Sequence, residues 1–301
     1  MPEDEDDILP QLADDQPAAN FAPALYLIAT PIGAARDITL RALDLLKGCE
    51  ILVAEDTRSL RRLMEIHGIA LNGRKVLAYH DHNGAQMRPR LLAALQQGKS
   101  VLYASEAGTP LVADPGFQLA RSVISEGLSV IAAPGPSAML AALTVAGLPS
   151  DRFCFMGFAP AQAGARRKFL EEAAKIPATL IFYESPKRVH RFLIELCEIL
   201  GKDRDAALCR ELTKKHEEIV RMPLGDMAES LSDRTLRGEI VLVVDRGEKQ
   251  VADQQTLDEA LKIALDQMRL KDAVAQVATE LDLPRRQVYQ AALALDKGQQ
   301  E

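Results

Sequence analysis

Residues 101–137 read VLYASEAGTPLVADPGFQLARSVISEGLSVIAAPGPS, and this stretch decides the fold of the chain. Its apolar runs at 101–104 and 129–132 are typical of buried parallel strands, and the amphipathic pattern between them predicts a helix over 115–126. A loop rich in glycine and proline follows each run. Ligands of open α/β sheets bind just beyond the carboxyl ends of the strands, so we expect both loops to face one binding crevice.

The same alternation of strands and helices extends toward both ends of the sequence. Before the quoted stretch, strands are predicted over 25–29, 51–54 and 75–79, and helices over 39–47, 59–67 and 86–97. Such a βαβ series indicates a mostly parallel sheet that is covered on both faces. After it, strands are predicted near 153–156, 179–183, 206–210, 216–222 and 240–244, with helices near 137–146, 166–175, 187–200 and 225–231. The connection between the last two strands is shorter than those of the first half, so this second sheet is predicted to be mixed.

The last part of the chain predicts a small helical domain. Residues 247–255 are polar and typical of a linker, and three short helices are predicted over 257–269, 271–281 and 285–296. The turn before the basic pair Arg285 and Arg286 resembles a helix-turn-helix, which often contacts nucleic acid, although three-helix caps without a ligand have the same pattern. The expected organisation is a disordered acidic tail over 1–22, an α/β domain over 23–134, a second α/β domain over 135–247 and a helical domain over 255–298.

Charge is concentrated at the start of the sequence. The 301 residues carry a formal charge of -7, and residues 1–22 hold seven acidic side chains and no Lys or Arg. The remainder is therefore neutral overall, so any contact with an anionic partner must come from local basic clusters. The basic residues that fit contact with RNA are Arg58, Arg61, Arg166, Arg167, Lys187, Arg188, Arg285 and Arg286, with solvated helix faces as the alternative.

The cysteine pattern and the hydropathy exclude several classes of protein. The four cysteines have no metal-ligand spacing and indicate buried thiols in a reducing compartment. No apolar run approaches the roughly 20 residues that span a bilayer, and the first residues do not have the pattern of a signal peptide. We therefore expect a cytoplasmic protein with no membrane partner and, since His80 and His82 lack a third ligand, no metal.

Polar loops follow five consecutive predicted strands, although the motifs of common nucleotide sites are missing. The chain has no GxGxxG after its first strand, no P-loop signature and no GxSxG, so Rossmann, P-loop and hydrolase sites lose their main support. Instead, ATPIG at 29–33, AEDTR at 54–58 and YHDHN at 79–83 follow the first three strands. Together with the two loops of the opening stretch, they place carboxylates and exposed backbone along one edge of the sheet.

Eight motifs in one order resemble the ribosomal small-subunit methyltransferase I family of the tetrapyrrole methylase superfamily. The resemblance covers about residues 23–296 and rests on ATPIG at 29–33, AEDTR at 54–58, SEAGTPLVADPG at 105–116, PGPS at 134–137, LPSDRF at 148–153, FYES at 182–185, RELTK at 210–214 and RGE at 237–239. The chain departs from the family at Glu106, where the usual SDAGTP motif has Asp. The charge is kept, and the carboxylate reaches one methylene further.

The resemblance implies an S-adenosylmethionine-dependent enzyme that methylates the ribose 2'-OH of a cytidine in 16S ribosomal RNA. It also implies a two-domain α/β fold of the tetrapyrrole-methylase type, a cofactor cleft between the domains, a homodimer, and 16S RNA or the small ribosomal subunit as partner. The residues that match cofactor contacts of the superfamily are Pro31, Gly33, Glu106, Gly108, Thr109, Ser137, Ala138, Tyr183, Glu211 and Leu212.

A ribose hydroxyl must lose its proton during such a transfer, and its pKa lies far above neutrality, so a positioned base or a cation is expected nearby. The candidates are Asp56, Glu55, His82 and Lys214, and the sequence does not choose among them. Arg58 and the basic helices are expected to hold phosphates. Two alternatives stay open: a small-molecule methylase that acts on a tetrapyrrole, and a non-catalytic RNA-binding factor of ribosome assembly.

Overall fold

A computed structural model describes residues 21–80, 82–112, 116–247, 254–281 and 283–298. Residues 1–20 of the predicted tail, Asp81, Pro115 and residues 248–253 of the predicted linker lie outside the described residues. The chain forms two compact units, which divide between Arg246 and Gly247.

The first half of the larger unit contains a parallel five-stranded sheet. Its strands are β1 (Leu25–Ile28), β2 (Ile51–Ala54), β3 (Val76–Ala78), β4 (Val101–Ala104) and β5 (Val130–Ala133), and they pair in the order β3-β2-β4-β1-β5. The connecting helices are α1 (Leu40–Gly48), α2 (Thr57–Ile66), α3 (Gly84–Gln96) and α4 (Phe117–Ser125). The predicted parallel sheet is therefore confirmed.

Both faces of this sheet are buried, as a parallel sheet between helices requires. Along β1, Tyr26 and Ile28 belong to one apolar cluster, whereas Leu25 and Leu27 belong to the cluster on the opposite face. The alternation follows from the strand period of two residues. Because both faces of the sheet are covered, the polar loops lie at the carboxyl ends of the strands.

The second half contains a mixed five-stranded sheet. Its strands are β6 (Phe153–Phe158), β7 (Thr179–Glu184), β8 (Asp205–Arg210), β9 (Glu218–Pro223) and β10 (Ile240–Val244), in the order β6-β7-β10-β8-β9. Strands β6 and β7 are parallel, and the other pairs are antiparallel. The helices are α5 (Ala138–Ala146), α6 (Ala163–Ala173), α7 (Val189–Leu200) and α8 (Leu224–Ser230). Residues 211–217 between β8 and β9 are too few for a parallel crossover, which explains the antiparallel pairing.

A shared apolar cluster joins the two halves below the strand ends. Ile32, from the loop after β1, is 8% exposed and belongs to the same cluster as Leu143 of α5, Ile181 of β7 and Val243 of β10. The loop after β1 is thus part of the core of the second sheet. This packing sets the spacing between the strand ends of the first sheet and the face of the second.

The smaller unit is a three-helix domain with its own core. Its helices are α9 (Gln254–Gln267), α10 (Leu270–Glu280) and α11 (Arg285–Gly298). Leu261, Val277 and Val288, one from each helix, are completely buried in its apolar cluster. Among the described residues, no helix is both long and apolar enough to cross a membrane.

Candidate functional site

The loops after β1 and β4 are tied together at the strand ends. Thr30 and Gly108 exchange two backbone hydrogen bonds, of 3.0 and 2.9 Å, in an isolated antiparallel bridge. The hydroxyl of Ser105 donates to the Gly108 carbonyl at 2.7 Å, and that of Thr109 donates to the Pro136 carbonyl at 2.9 Å. Gly108 has φ +79°, a conformation that glycine adopts without strain. Three loops that are far apart in sequence therefore form one fixed wall.

A cleft of about 650 Å³ lies over this wall and is closed on its other side by the second sheet. We call it the main cleft. It is lined by eight of the ten residues predicted to bind the cofactor: Pro31, Gly33, Glu106, Gly108, Thr109, Ser137, Ala138 and Tyr183. Glu55, Glu184 and Glu239 also line it, although the Glu184 side chain is buried against Arg188. The cleft thus combines closely packed backbone with negative charge, which suits a cationic ligand.

The other two predicted cofactor residues, Glu211 and Leu212, do not line the main cleft. Leu212 is buried in the shared apolar cluster, and the Glu211 carboxylate accepts hydrogen bonds from Lys214 Nζ at 2.8 Å and from the Glu239 amide at 3.0 Å. These hydrogen bonds, that of Lys214 foremost, lower the pKa of Glu211 below its ordinary value. Glu211 and Leu212 therefore lie behind the wall of the main cleft, and the residues that line the wall at this point are Lys214 and Glu239.

Gly33 is a point of close approach between the two halves. A Cβ atom on Gly33 would lie 2.5 Å from Lys214 Cγ, 2.5 Å from Thr213 Oγ1 and 2.9 Å from the Leu212 carbonyl. The neighbouring Ala34 amide donates to Thr213 Oγ1 at 3.0 Å. Only glycine fits here without displacing the backbone of residues 212–214, so this position fixes the width of the cleft.

Lys214 is the cation of the main cleft. Burial acts to lower its pKa, but hydrogen bonds from Nζ to Glu211 and to Glu239, the latter at 2.9 Å, outweigh burial and leave the pKa raised. The side chain is 30% exposed. Lys214 therefore stays protonated at neutral pH and is suited to stabilise negative charge rather than to accept a proton.

A second cavity, of about 560 Å³, adjoins the main cleft. We call it the arginine cavity, because Arg58 and Arg62 line it together with Asp56. The two cavities are continuous along shared lining residues, namely Pro31, Gly33, Ser59 and Glu106. A ligand in the main cleft and a second one in the arginine cavity would meet beside these residues.

Asp56 is held by the helix that it begins. Its Oδ1 accepts hydrogen bonds from the backbone amides of Arg58 and Ser59 at the start of α2, and the Arg58 guanidinium donates to Oδ2 at 3.1 Å. This cap explains why α2 begins at Thr57 rather than at the predicted residue 59. Hydrogen bonding to Arg58 lowers the pKa of Asp56 below its ordinary value, which makes it a weak base.

Glu55 and His82, the remaining catalytic candidates, lie in different places. Glu55 lines the main cleft, and its Oε2 accepts a hydrogen bond from the Glu106 amide at 3.3 Å. His82 is exposed and lines neither cavity; its ring stacks edge to face on His80 at 5.9 Å. The reason is the strand order: His82 follows β3, the outermost strand, whereas Glu55 follows β2, one strand closer to the centre. The described residues include no group of three or more His, Cys, Asp or Glu arranged to hold a metal ion.

The basic residues divide into exposed and structural ones. Arg58, Arg61, Arg167, Lys187, Arg285 and Arg286 are exposed. Arg166 was predicted to contact RNA, and this is wrong: it is 4% exposed and donates to both oxygens of Glu195 and to the carbonyls of Pro160 and Ala161. Arg188 is also engaged, since its Nη2 donates to the Ala159 carbonyl at 2.6 Å. Both arginines stabilise the loop after β6, Arg166 from a buried position and Arg188 with a third of its side chain exposed.

Phe158 and Glu239 line the main cleft but are not among the predicted site residues. Phe158 lines the cleft with 58% of its surface exposed, and Glu239 lines it with its carboxylate bound to Lys214. Glu239 belongs to the RGE motif at 237–239, which was a usable signal. Phe158 ends the apolar run FCFMGF at 153–158, and nothing in that run distinguishes it from the residues of an ordinary buried strand.

The profiles of two protein families match this chain. That of the Tetrapyrrole (Corrin/Porphyrin) Methylases matches residues 24–228, and that of the RsmI C-terminal HTH domain matches residues 251–296. The first match covers the first sheet, strands β6 to β9 of the second sheet and all the residues that line the arginine cavity, and it ends before β10. The second covers the three helices of the smaller unit.

Proteins named Ribosomal RNA small subunit methyltransferase I are similar to almost the whole chain. That of Mesorhizobium japonicum is 44% identical over 280 residues, which cover 93% of this chain and 94% of the relative. That of Vibrio cholerae is 40% identical over 287 residues, covering 94% and 98%. That of Halalkalibacterium halodurans is 41% identical over 273 residues, covering 88% and 93%.

Solved structures share the fold at low sequence identity. Diphthine synthase superimposes with a TM-score of 0.58 at 14% identity and covers 74% of this chain and 89% of its own. Cobalt precorrin-4 methyltransferase gives 0.56 at 18% identity, covering 74% and 95%. Uroporphyrin-III C-methyl transferase from Thermus thermophilus, complexed with S-adenosyl homocysteine, gives 0.50 at 21% identity, covering 74% and 97%. The predicted fold class is confirmed.

Proposed function

This chain belongs to the ribosomal RNA small subunit methyltransferase I family, and we propose that it transfers a methyl group from S-adenosylmethionine to the ribose 2'-OH of a cytidine in 16S ribosomal RNA. The observation that supports the proposal most is the convergence of eight predicted cofactor residues on one cleft beside a cavity lined by arginines. The main cleft suits a cationic cofactor, and the arginine cavity suits an anionic acceptor.

The main cleft fits the proposed cofactor on the chemistry of its walls. S-adenosylmethionine, when bound, supplies an electrophilic methyl group on a positively charged sulfur. The backbone around Gly33 and Gly108 allows close approach of a ligand, and the carboxylates of Glu55, Glu106 and Glu239 favour positive charge. We assign the binding of this cofactor to the eight predicted residues that line the cleft, with Glu239 added.

The arginine cavity fits a phosphate of the acceptor RNA. Arg58 is 88% exposed at its side chain, and Arg62, which pairs with Glu65 at 2.7 Å, is 67% exposed. Ion pairs near the surface contribute about 0 to 1 kcal/mol to stability, so a phosphate can replace the Asp56 or Glu65 carboxylate beside these arginines at little cost. Arginine suits this role because its planar guanidinium binds phosphate oxygens in pairs.

Of the four candidates, Glu55 and Lys214 remain for the step in which the ribose hydroxyl loses its proton. Asp56 is weakened as a base by Arg58, and His82 lies outside both cavities, whereas Glu55 lines the main cleft next to the arginine cavity. We assign the role of proton acceptor to Glu55 and the role of stabilising the developing oxyanion to Lys214, which stays protonated. A positioned general base contributes about 10²- to 10⁴-fold to the rate.

Contact with the rest of the RNA is proposed for the three-helix unit. Arg285 and Arg286 are exposed at the start of α11, where a helix favours phosphate groups. We extend the proposal to the small ribosomal subunit as substrate, to a homodimer and to a cytoplasmic location, as the sequence resemblance implies.

Incubation of the protein with methyl-labelled S-adenosylmethionine tests the proposal, with small ribosomal subunits, naked 16S RNA and a porphyrinoid as separate acceptors. We expect label in the RNA, on a ribose whose 3'-phosphodiester resists alkaline hydrolysis because the 2'-OH of that ribose is blocked. Label only in the porphyrinoid would favour the tetrapyrrole methylase, and no label in any acceptor would favour the assembly factor.

Matched variants separate the proposed roles. Glu55→Gln should lower kcat by about 10²-fold or more and leave binding of the cofactor nearly unchanged. Lys214→Met should also lower kcat, while Lys215→Met, at the neighbouring exposed lysine, should not. A Glu55→Gln protein with wild-type kcat would remove Glu55 from the mechanism.

A further inference from the structure

Phe158 is an exposed aromatic ring at the edge of the main cleft. It is 58% exposed and lines the cleft together with Tyr183, and the two ring centroids are 5.5 Å apart in an edge-to-face arrangement. Tyr183 is less exposed, and burial raises the pKa of its phenol. The two rings thus form a step, with Tyr183 on the inside and Phe158 toward solvent.

A β-bulge turns Phe158 into the cleft. In the parallel pair of β6 and β7, Phe155 is opposite Ile181, but the register then shifts, so that Gly157 is opposite Phe182 and Phe158 is opposite Tyr183. Phe158 lies three residues after Phe155, and without the register shift its side chain would point to the opposite face of the sheet. Bulges near active sites often reorient a side chain in this way.

The backbone that follows Phe158 is held by two arginines. Arg188 Nη2 donates to the Ala159 carbonyl at 2.6 Å and lies 3.0 Å from Oε2 of the buried Glu184, an ion-pair contact without hydrogen-bond geometry. Arg166 Nη1 donates to the carbonyls of Pro160 at 3.1 Å and Ala161 at 2.7 Å. Three consecutive carbonyls are therefore fixed by side chains from α6 and from the start of α7. The exposed ring of Phe158 therefore stands on a backbone that these side chains hold in place.

We propose that Phe158 is the stacking platform for the base of the acceptor nucleotide. The inference rests on the proposed function and adds the residue that orients the acceptor. Proteins that bind unpaired RNA stack its bases on aromatic side chains, since every base has an apolar face. The base, rather than the cofactor, is assigned to this ring because Phe158 occupies the solvent side of Tyr183, whereas the predicted cofactor residues line the inner wall.

Three variants test this inference: Phe158→Ala, Phe158→Trp and Phe153→Ala. Phe153 is the matched control, because it is on the same strand, is 42% exposed and does not line the cleft. We measure kcat/KM for methylation of small ribosomal subunits, affinity for S-adenosylmethionine by calorimetry, and molecular mass by sedimentation.

Phe158→Ala should lower kcat/KM for the RNA acceptor by about 5- to 150-fold, as the loss of one stacked base predicts. Its affinity for the cofactor should stay within about twofold of the wild type, Phe158→Trp should restore most of the activity, and Phe153→Ala should match the wild type. Equal losses of cofactor affinity and RNA activity in Phe158→Ala would overturn the assignment to the base. So would wild-type activity, or a changed mass that placed the ring in an interface between copies. Failure of the wild type to label RNA would instead refute the proposed function.

Discussion

Replacement of Arg166 by Met should destabilise the larger unit strongly, although Arg166 belongs to a basic cluster that resembles an RNA-binding surface. The Arg166 side chain is 5% exposed and Glu195 is 18% exposed. The variant keeps the aliphatic part of the side chain but leaves Glu195 with only its 3.2 Å hydrogen bond to Arg191. It also leaves the carbonyls of Pro160 and Ala161 without this donor.

Loss of one partner of a buried ion pair costs about 3 to 5 kcal/mol. The remaining contact to Arg191 places the expected cost at the lower end, about 3 kcal/mol. For a unit of this size, each kcal/mol lowers Tm by about 2 to 4 °C, so we expect a decrease of about 6 to 12 °C. Thermal unfolding at pH 7, followed by circular dichroism, measures it.

Arg167→Met is the matched control. Arg167 follows Arg166 on α6 and pairs with Glu171 and Glu198, but all three side chains are more than half exposed. Exposed pairs contribute about 0 to 1 kcal/mol, so its Tm should decrease by no more than about 4 °C. Equal Tm values for the two variants would refute the structural role of Arg166. Loss of RNA affinity in Arg166→Met with an unchanged Tm would show instead that Arg166 contacts RNA.

Three further predictions concern the cleft, the small unit and the pH dependence of stability. Gly33→Ala should reduce affinity for S-adenosylmethionine at least tenfold in calorimetry, because its Cβ would displace residues 212–214, whereas Gly164→Ala, with no atom within 4 Å of the new Cβ, should not. Deletion of residues 255–301 should weaken binding of small ribosomal subunits and leave cofactor affinity nearly unchanged; equal losses would contradict a separate RNA-binding unit. Hydrogen bonds from Arg166 lower the pKa of Glu195 in the folded state below its ordinary value of 4.5, so the unfolded chain takes up this proton first as pH falls. The stabilisation is present above pH 4.5 and lost below it, and the decrease in Tm between pH 7 and pH 3.5 should be smaller in Arg166→Met than in the wild type.

Patterns that depend on burial alone were predictable from the sequence. The bounds of β2 and β10 agree with the prediction to the residue, since continuous apolar runs mark strands that are buried on both faces. Helix ends were less predictable, because they depend on individual caps such as Asp56. The motif loops after β1, β4 and β5 also met as expected, because the carboxyl ends of parallel strands share one edge of the sheet.

Features that depend on distant partners were not predictable from the sequence. Arg166 is part of a triplet of consecutive basic residues at 166–168, and this pattern is the same whether the partner of Arg166 is a carboxylate 29 positions later or water. The orientation of Phe158 depends on a one-residue shift in strand register, which the continuous apolar run at 153–158 does not reveal. His82 lies in the polar loop after β3, and the strand order places that loop at an edge of the sheet, where none of its described residues lines either cavity.

The place of Ile32 in the core of the second sheet has a consequence for how the cleft responds to a ligand. A cleft between independent domains opens by a hinge, but here the loop that forms its floor is packed among Leu143, Ile181 and Val243. Opening the halves would expose this apolar cluster to water, at a cost of about 25 cal/mol for each Å² exposed. We therefore expect the cleft to keep its width when a ligand binds, because the loop on one side of it belongs to the apolar core of the sheet on the other side.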